Sequence, residues 1–194
     1  FDAHDPRVQN APPLGGFDNF TPAYQFAKAL LSNEKDLIID KEHTKVISPD
    51  EGALSRAVYF ASVLGVDTGM FYKRRDYTKI VNGKNPLISH DYCGNEDLNG
   101  KTAIVSDDMI SSGGSMFDVI DELKKRGVKK VYIVVTFALF TKGIEKFKEY
   151  YKKGLFNIPR FDMNGGKCFI GPLITVNVDG IVTFVTFTRY VTIS

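Results

Sequence analysis

Residues 101–127, KTAIVSDDMISSGGSMFDVIDELKKRG, contain the pattern that decides the fold. The first five residues form a short apolar run, which predicts a strand covered on both faces. Apolar residues between Met116 and Leu123 recur close to the spacing of one helix face. Gly127 follows three cations, which is typical of a helix end. The stretch therefore predicts a strand, a loop and a helix in succession.

The loop between this strand and helix, residues 107–115, contains paired acids and paired glycines. Glycines let backbone N–H groups approach an anion closely, and a helix N-terminus favours that anion. Two adjacent carboxylates cannot bind a phosphate, but they suit sugar hydroxyls or Mg²⁺ held partly through water. The loop therefore indicates a site for a phosphorylated sugar. An ordinary turn with a solvated acidic pair and a serine cap has the same composition.

Strand-like and helix-like segments alternate along the rest of the chain. Strands are predicted at residues 44–48, 68–72, 101–106 and 131–136, and helices at 23–31, 53–64, 116–126 and 143–153. The first helix is predicted to begin with Thr21 as N-cap and Pro22 at the first helical position. The alternation predicts an α/β fold with a parallel sheet flanked by helices, in which ligands bind beyond the carboxyl ends of the strands. Asp50, Lys73 and Asp107 each follow a predicted strand.

Three segments of different character suggest the domain organisation. Residues 1–20 are rich in proline and glycine and are predicted to be a linker or the remnant of a preceding domain. Residues 21–156 are predicted to form the α/β domain. Residues 157–194 are an atypical β-rich tail with a predicted hairpin around Asp179-Gly180. The tail is either an authentic extension that covers a sheet edge or foreign sequence from a shifted reading frame.

Composition narrows the class of protein. The net charge of +2 gives no argument for nucleic acid as a partner. No run of about 18 apolar residues predicts a membrane-spanning helix, and no secretory leader is visible. Two distant cysteines, Cys93 and Cys168, fit a reducing compartment, so a cytoplasmic location is expected. Residues 73–99 lack a clear period and are predicted to be a functional loop.

Residues 107–115 resemble the motif that binds 5-phosphoribosyl diphosphate (PRPP) in the type I phosphoribosyltransferase fold. Other stretches narrow the resemblance to the ribose-phosphate pyrophosphokinase (PRPP synthetase) family. Val46–Ala53, VISPDEGA, is similar to the family's strand-end Ser-Pro-Asp-x-Gly motif. Lys73-Arg74-Arg75 resembles the Lys-x-Arg that opens its mobile catalytic loop, and Asp2-Ala3-His4 resembles its Asp-x-His motif. The resemblance covers roughly residues 1–156.

The resemblance implies a role for each matched position. The 5-phosphate of ribose would bind the loop through Ser111, Ser112, Gly113, Gly114 and Ser115. Asp107 and Asp108 would bind ribose hydroxyls or waters of Mg²⁺. His4 and Asp50 would be metal ligands, and Lys73 and Arg75 would be catalytic, with residues 76–90 as a lid. Mg²⁺ as cofactor, ATP and ribose 5-phosphate as substrates, and a homo-oligomeric full-length protein follow from the same resemblance.

The chain departs from the family pattern in two ways that keep alternatives open. The loop has Ser111 where the family usually has a further acid, and only the second of the family's two similar domains is present. A phosphoribosyltransferase that consumes PRPP and a non-catalytic sugar-phosphate-binding fragment are the alternatives. Asp50 could also simply cap a helix, Lys73 to Arg75 could be a solvated charge run, and His4 could be a frayed terminal residue.

Overall fold

The computed structural model describes residues 2–11, 15–75, 78–80, 87–94, 97–156, 174–175 and 185–186. A short 3-10 helix, Pro6–Asn10, precedes the main elements. The helices are α1 (Ala23–Asn33), α2 (Leu54–Leu64), α3 (Gly114–Lys125) and α4 (Glu145–Lys152). The strands are β1 (Thr44–Ser48), β2 (Asp67–Arg75), β3 (Leu87–Cys93), β4 (Thr102–Ile110), β5 (Lys130–Ala138), β6 (Ile174–Thr175) and β7 (Val185–Thr186).

The main sheet of the described residues has the strand order β3-β2-β1-β4-β5. β1 pairs parallel with β2 and β4, and β4 pairs parallel with β5. The predicted α/β fold is therefore confirmed. β6 and β7 form a separate antiparallel pair, in agreement with the predicted hairpin, although its turn at Asp179-Gly180 lies outside the described residues.

The prediction that residues 73–99 form a loop was wrong for part of that range. β3 lies within that range and pairs antiparallel with β2, so that Lys73 faces His90 and Met70 faces Cys93. The sequence of β3, LISHDYC, shows no clean alternation of apolar and polar residues, because it pairs at the edge of the sheet and not in its centre. Part of the predicted lid, residues 76–77 and 81–86, lies outside the described residues.

The apolar runs of the central strands are buried because helices cover both faces of the sheet. Val105 of β4 belongs to the cluster that packs under α3 and α4, together with Val119 and Ile120. Its neighbour Ile104 belongs to the opposite cluster, under α1 and α2. Ile104, Val105, Val119 and Ile120 are all fully buried. This two-sided packing fixes β4, the strand that carries the paired acids.

Several predicted boundaries shift in the structure. β4 continues through Asp107 and Asp108 to Ile110, because β5 offers a partner along its whole length, up to Ala138 opposite Ile110. Lys73 likewise lies inside β2, which β3 extends. At α1 the N-cap is Pro22 and not Thr21, and no side chain caps the helix. In the described part of the chain, no helix has the length and apolar character needed to cross a membrane.

Candidate functional site

A cavity of about 580 Å³ opens at the carboxyl ends of β1 and β4. It is lined by residues 4–7, by the turn between Asp50 and Arg56, and by residues 107–116. The structure thus brings His4, Asp50, the paired acids and the whole glycine-containing loop to one place. Lys73 and Arg75 lie on β2, but their side chains are outside the described residues.

The loop delivers an uncapped helix N-terminus to this cavity. Gly113 has a left-handed backbone (φ 80°) and is the N-cap of α3, with no side-chain cap hydrogen bond. The first N–H groups of a helix have no partner within the helix. Here these N–H groups belong to Gly114, Ser115 and Met116, all of which line the cavity. The positive end of the helix dipole adds to the preference for an anion at this point.

A second loop, between β5 and α4, holds the segment Ile110-Ser111 in place. The N–H of Leu139 donates to the Ile110 carbonyl at 2.9 Å, and the N–H of Thr141 donates to the Ser111 carbonyl at 3.0 Å. The hydroxyls of Ser111 and Thr141 are 3.5 Å apart. Ser111 is therefore anchored through both its backbone and its side chain. No local sequence pattern predicts this role of Thr141.

The paired acids are electrostatically unequal. Burial raises the pKa of Asp107 to about 7, and the negative charges of Asp108 and Asp50 add to the rise. Burial also acts upward on the pKa of Asp108, but hydrogen bonds with His4 and Asp107 outweigh it and hold that pKa below its usual range. The pair therefore releases its second proton near neutral pH. Asp107 can donate or accept a hydrogen bond there, whereas Asp108 is an acceptor.

His4 contacts this pair directly. Its Nδ1 lies 2.5 Å from Asp108 Oδ2, although the histidine side chain is 72% exposed. The hydrogen bond with Asp108, followed by the negative charge of Asp108, raises the pKa of His4. The terminal histidine is therefore placed in the site and not frayed from it.

Asp50 serves as a cap and still faces the cavity. Its Oδ1 accepts the N–H groups of Gly52 at 3.1 Å and Ala53 at 3.3 Å, just before α2. Among the described residues, its Oδ2 accepts no hydrogen bond. One carboxylate oxygen is thus used for the fold and the other remains available to a ligand.

Sequence reasoning missed an ion-pair network behind the site. The buried carboxylate of Asp2 accepts a hydrogen bond from Arg56 Nε at 2.8 Å and another from the hydroxyl of Thr136. Arg56 Nη2 also lies 3.8 Å from Asp108 Oδ2. No local pattern predicts this network, because Asp2 and Thr136 are 134 positions apart in the chain.

A family model, phosphoribosyl transferase domain, matches residues 18–167 of the chain. The chain belongs to this family. Within the phosphoribosyl transferase family, curated relatives named ribose-phosphate pyrophosphokinase are similar to it. The protein from Pyrococcus abyssi is 33% identical over 74% of this chain and 45% of its own length. The protein from Mycoplasmopsis pulmonis is 31% identical over 76% of this chain and 42% of its own length.

A solved structure is also similar to the chain. The crystal structure of phosphoribosylpyrophosphate synthetase from Mycobacterium smegmatis has a TM-score of 0.54 and 26% identity, over 71% of this chain and 40% of that chain. The resemblance to the ribose-phosphate pyrophosphokinases is therefore confirmed. The chain spans about half the length of the curated relatives that it matches.

Proposed function

We propose that the full-length protein is a ribose-phosphate pyrophosphokinase and that this chain supplies the ribose-phosphate part of its active site. The reaction would transfer a diphosphoryl group from ATP to O1 of ribose 5-phosphate, which gives PRPP and AMP for nucleotide biosynthesis. The main support for this proposal is that one cavity is lined both by the uncapped N-terminus of α3 and by the paired acids of β4. The names of the curated relatives support the same reaction.

The loop and the acids would divide the substrate between them. The 5-phosphate would bind backbone N–H groups and hydroxyls of residues 111–115, since these face the cavity at the positive end of α3. Asp107 and Asp108 would bind ribose hydroxyls. Charged acceptors of this kind form strong hydrogen bonds, and their spacing from the phosphate site would orient the sugar.

Mg²⁺ fits two further donors that line the same cavity, Asp50 and His4. In the described part of the chain, no three His, Cys, Asp or Glu side chains form a metal-binding group. Mg²⁺ needs none, since it usually takes one or two carboxylates and completes its shell with water and substrate phosphates. Asp50 Oδ2 would be the carboxylate donor and His4 a weaker one. When bound, Mg²⁺ would neutralise charge on the transferring diphosphoryl group.

Lys73 and Arg75 complete the proposal as catalytic cations. β2 runs parallel to β1, so the carboxyl end of β2 lies at the same edge of the sheet as Asp50. The two side chains would close over the triphosphate of ATP. A cytoplasmic location and a homo-oligomeric full-length protein belong to the same proposal.

The second candidate function is sugar-phosphate binding without turnover. It is supported by the cavity of the loop and the paired acids alone, without the residues proposed to contact ATP. A phosphoribosyltransferase that consumes PRPP would share the loop of residues 111–115. Such an enzyme has no need of Asp50 or Lys73 at the edge of the sheet.

³¹P NMR of this chain with Mg²⁺, ATP and ribose 5-phosphate tests the proposal. Appearance of PRPP and AMP together would show that the chain is a working pyrophosphokinase. Broadening of the ribose 5-phosphate signal without turnover would show that the chain holds only the ribose-phosphate part. Inorganic phosphate is the control for a loop that binds any phosphate. If neither turnover nor broadening is seen, the assignment of the loop is wrong.

A further inference from the structure

The first residues of the chain are pinned to the fold by one buried carboxylate. Asp2 is only 4% exposed, and its two oxygens have different donors: Arg56 Nε on α2 and the hydroxyl of Thr136 on β5. The backbone N–H of Asp2 donates to the Phe20 carbonyl at 2.8 Å. Asp2 thus joins α2 and β5 to the segment that precedes α1.

Arg56 connects this anchor to the paired acids. Its Nη2 donates to the Ala3 carbonyl at 3.3 Å, while its Nε is occupied by Asp2. The same guanidinium lies 3.8 Å from Asp108 Oδ2, the oxygen that contacts His4. One side chain therefore fixes the backbone on the N-terminal side of His4 and faces the acid that His4 contacts.

We propose that Arg56 and Asp2 form a clamp that positions His4 against Asp108. The clamp would hold in the cavity a side chain that is proposed to bind Mg²⁺. It therefore deepens the proposed function, and its catalytic consequence rests on that function. Asp2 is then a positioning residue and not a metal ligand, since both of its oxygens are already used. Outer residues of this kind orient the groups that contact a metal or substrate.

The clamp is needed because His4 has little else to hold it. The His4 side chain is 72% exposed, and Asp108 is its one hydrogen-bond partner among the described residues. The Arg56 side chain is only 18% exposed, so its contacts are shielded from water. Arginine is also specific here. Its Nε and Nη2 reach two separate acceptors in fixed directions, which a lysine ammonium cannot reproduce.

Arg56→Lys and Asp2→Asn test the clamp in the chain without ligand. Arg56→Lys keeps the positive charge but removes the forked guanidinium group. Asp2→Asn keeps the shape of the side chain but removes its negative charge. Arg7→Lys is the matched control, because Arg7 lies on the same segment, is 84% exposed and pairs only with Asp5 among the described residues. Hydrogen exchange of the Asp2 amide is expected to become about tenfold faster or more in both clamp variants. It should be unchanged in Arg7→Lys.

The His4 ring gives the decisive signal. Long-range ¹H–¹⁵N spectra at one fixed pH follow the ring nitrogens, and both clamp variants are expected to shift His4 Nδ1 toward the value of a free imidazole. His43, which pairs with Asp40 at 2.8 Å, is the internal reference and should not move. If the Asp2 amide stays protected and the His4 signal stays in place in Arg56→Lys, the clamp is refuted. If that variant does not fold, Asp2→Asn and Thr136→Val decide by the same two signals.

Ligand titrations separate the clamp from the proposed function. In the clamp variants, affinity for Mg²⁺ in the presence of ribose 5-phosphate is expected to fall about tenfold. Affinity for ribose 5-phosphate alone should change less than that for Mg²⁺. Residues 111–115, which are proposed to hold the 5-phosphate, make no hydrogen bond or ion pair with Arg56 or Asp2 among the described residues. An equal loss of both would indicate general damage and count against positioning. A wild-type chain that binds neither ligand would end the proposed function, while the His4 signal would still decide the clamp.

Discussion

Gly113, in the loop between β4 and α3, lies directly against the ring of Phe147. A Cβ atom at Gly113 would stand 2.5 Å from Phe147 Cζ and 3.0 Å from Phe117 Cε2. The two rings pack with their centroids 4.3 Å apart, so neither can yield without disturbing the core under α3 and α4. The shape of the loop and the packing of the core are therefore coupled.

Gly113→Ala is expected to destabilise the protein. The left-handed backbone (φ 80°) costs an L-residue about 1–2 kcal/mol, and the clash with Phe147 adds about 1–3 kcal/mol. Chemical denaturation measures the loss. Gly114→Ala is the matched control, because a Cβ there meets only Ser112 Oγ at 3.8 Å and alanine favours a helix. Equal stability of the two variants would contradict this account of the loop.

The two roles of Asp50 can be separated by substitution. Asp50→Asn retains an oxygen for the N–H groups of Gly52 and Ala53, so stability is expected to stay close to that of the wild type. Asp50→Ala should lose about 1 kcal/mol of unfolding free energy. Both variants are expected to bind Mg²⁺ more weakly, as titration calorimetry would measure. Mg²⁺ binding of Asp50→Asn equal to wild type would leave Asp50 as a cap alone.

The raised pKa of Asp107 predicts how stability depends on pH. Its pKa is about 7 in the fold against 3.8 as the reference, so the folded state binds a proton that the unfolded state releases. The stability linked to that proton is present below about pH 4 and is lost as the pH rises through about 7. Asp107→Asn has no carboxyl group at this position, so it does not lose this stability as the pH rises. Its stability relative to wild type is therefore expected to increase between pH 4 and 7 and then level off.

Urea denaturation of both proteins across this range measures the difference. Asp118→Asn, which removes an exposed carboxylate from α3, is the control for the loss of one charge. A constant difference between Asp107→Asn and wild type from pH 4 to 8 would show that Asp107 does not titrate in that window. The pairing with Asp108 would then need another explanation.

Ser115→Asp tests the anion site at α3. An aspartate near a helix N-terminus is favourable for the helix, so stability should be equal or higher by about 0.3–1 kcal/mol. The same charge would repel the phosphate of ribose 5-phosphate. Binding, followed by ³¹P line broadening, is expected to be lost. Ser115→Ala is the control, since it removes a hydroxyl without adding charge and should weaken binding only modestly. Retained binding in Ser115→Asp would place the phosphate elsewhere.

Local sequence pattern was sufficient to predict the central strands and helices and the position of the loop. The apolar run at the start of β4 and the helical stripe of α3 are buried as their patterns predict, because helices cover both faces of the sheet. Residues 107–116 line one cavity, as the strand–loop–helix pattern predicts. Whether they bind ribose 5-phosphate stays a prediction.

Long-range pairing decided what local pattern could not. Asp107 and Asp108 are polar, yet they lie inside β4 because β5 continues alongside them. β3 forms because β2 offers its edge, and its own residues carry no strand signal. The contact of Asp2 with Thr136 joins the first residues to the last strand of the main sheet. Such contacts depend on the assembled fold and leave no trace in short windows of sequence.

Removal of the Ser106 hydroxyl and removal of the Thr136 hydroxyl are expected to affect stability differently. Ser106 and Thr136 are both fully buried, but Ser106 Oγ has no hydrogen-bond partner among the described residues, whereas Thr136 donates to Asp2. An unsatisfied buried hydroxyl costs about 1–3 kcal/mol. Ser106→Ala is therefore expected to leave the free energy of unfolding unchanged or to raise it.

Thr136→Val is the matched comparison. It removes a donor from a buried carboxylate and is expected to cost about 1.5–3 kcal/mol, the range for hydrogen bonds to charged groups. Denaturation of both variants measures the contrast. Ser106 borders a second cavity of about 270 Å³, which has room for water. A loss of about 1 kcal/mol in Ser106→Ala would contradict the prediction and indicate that a bound water satisfies the hydroxyl.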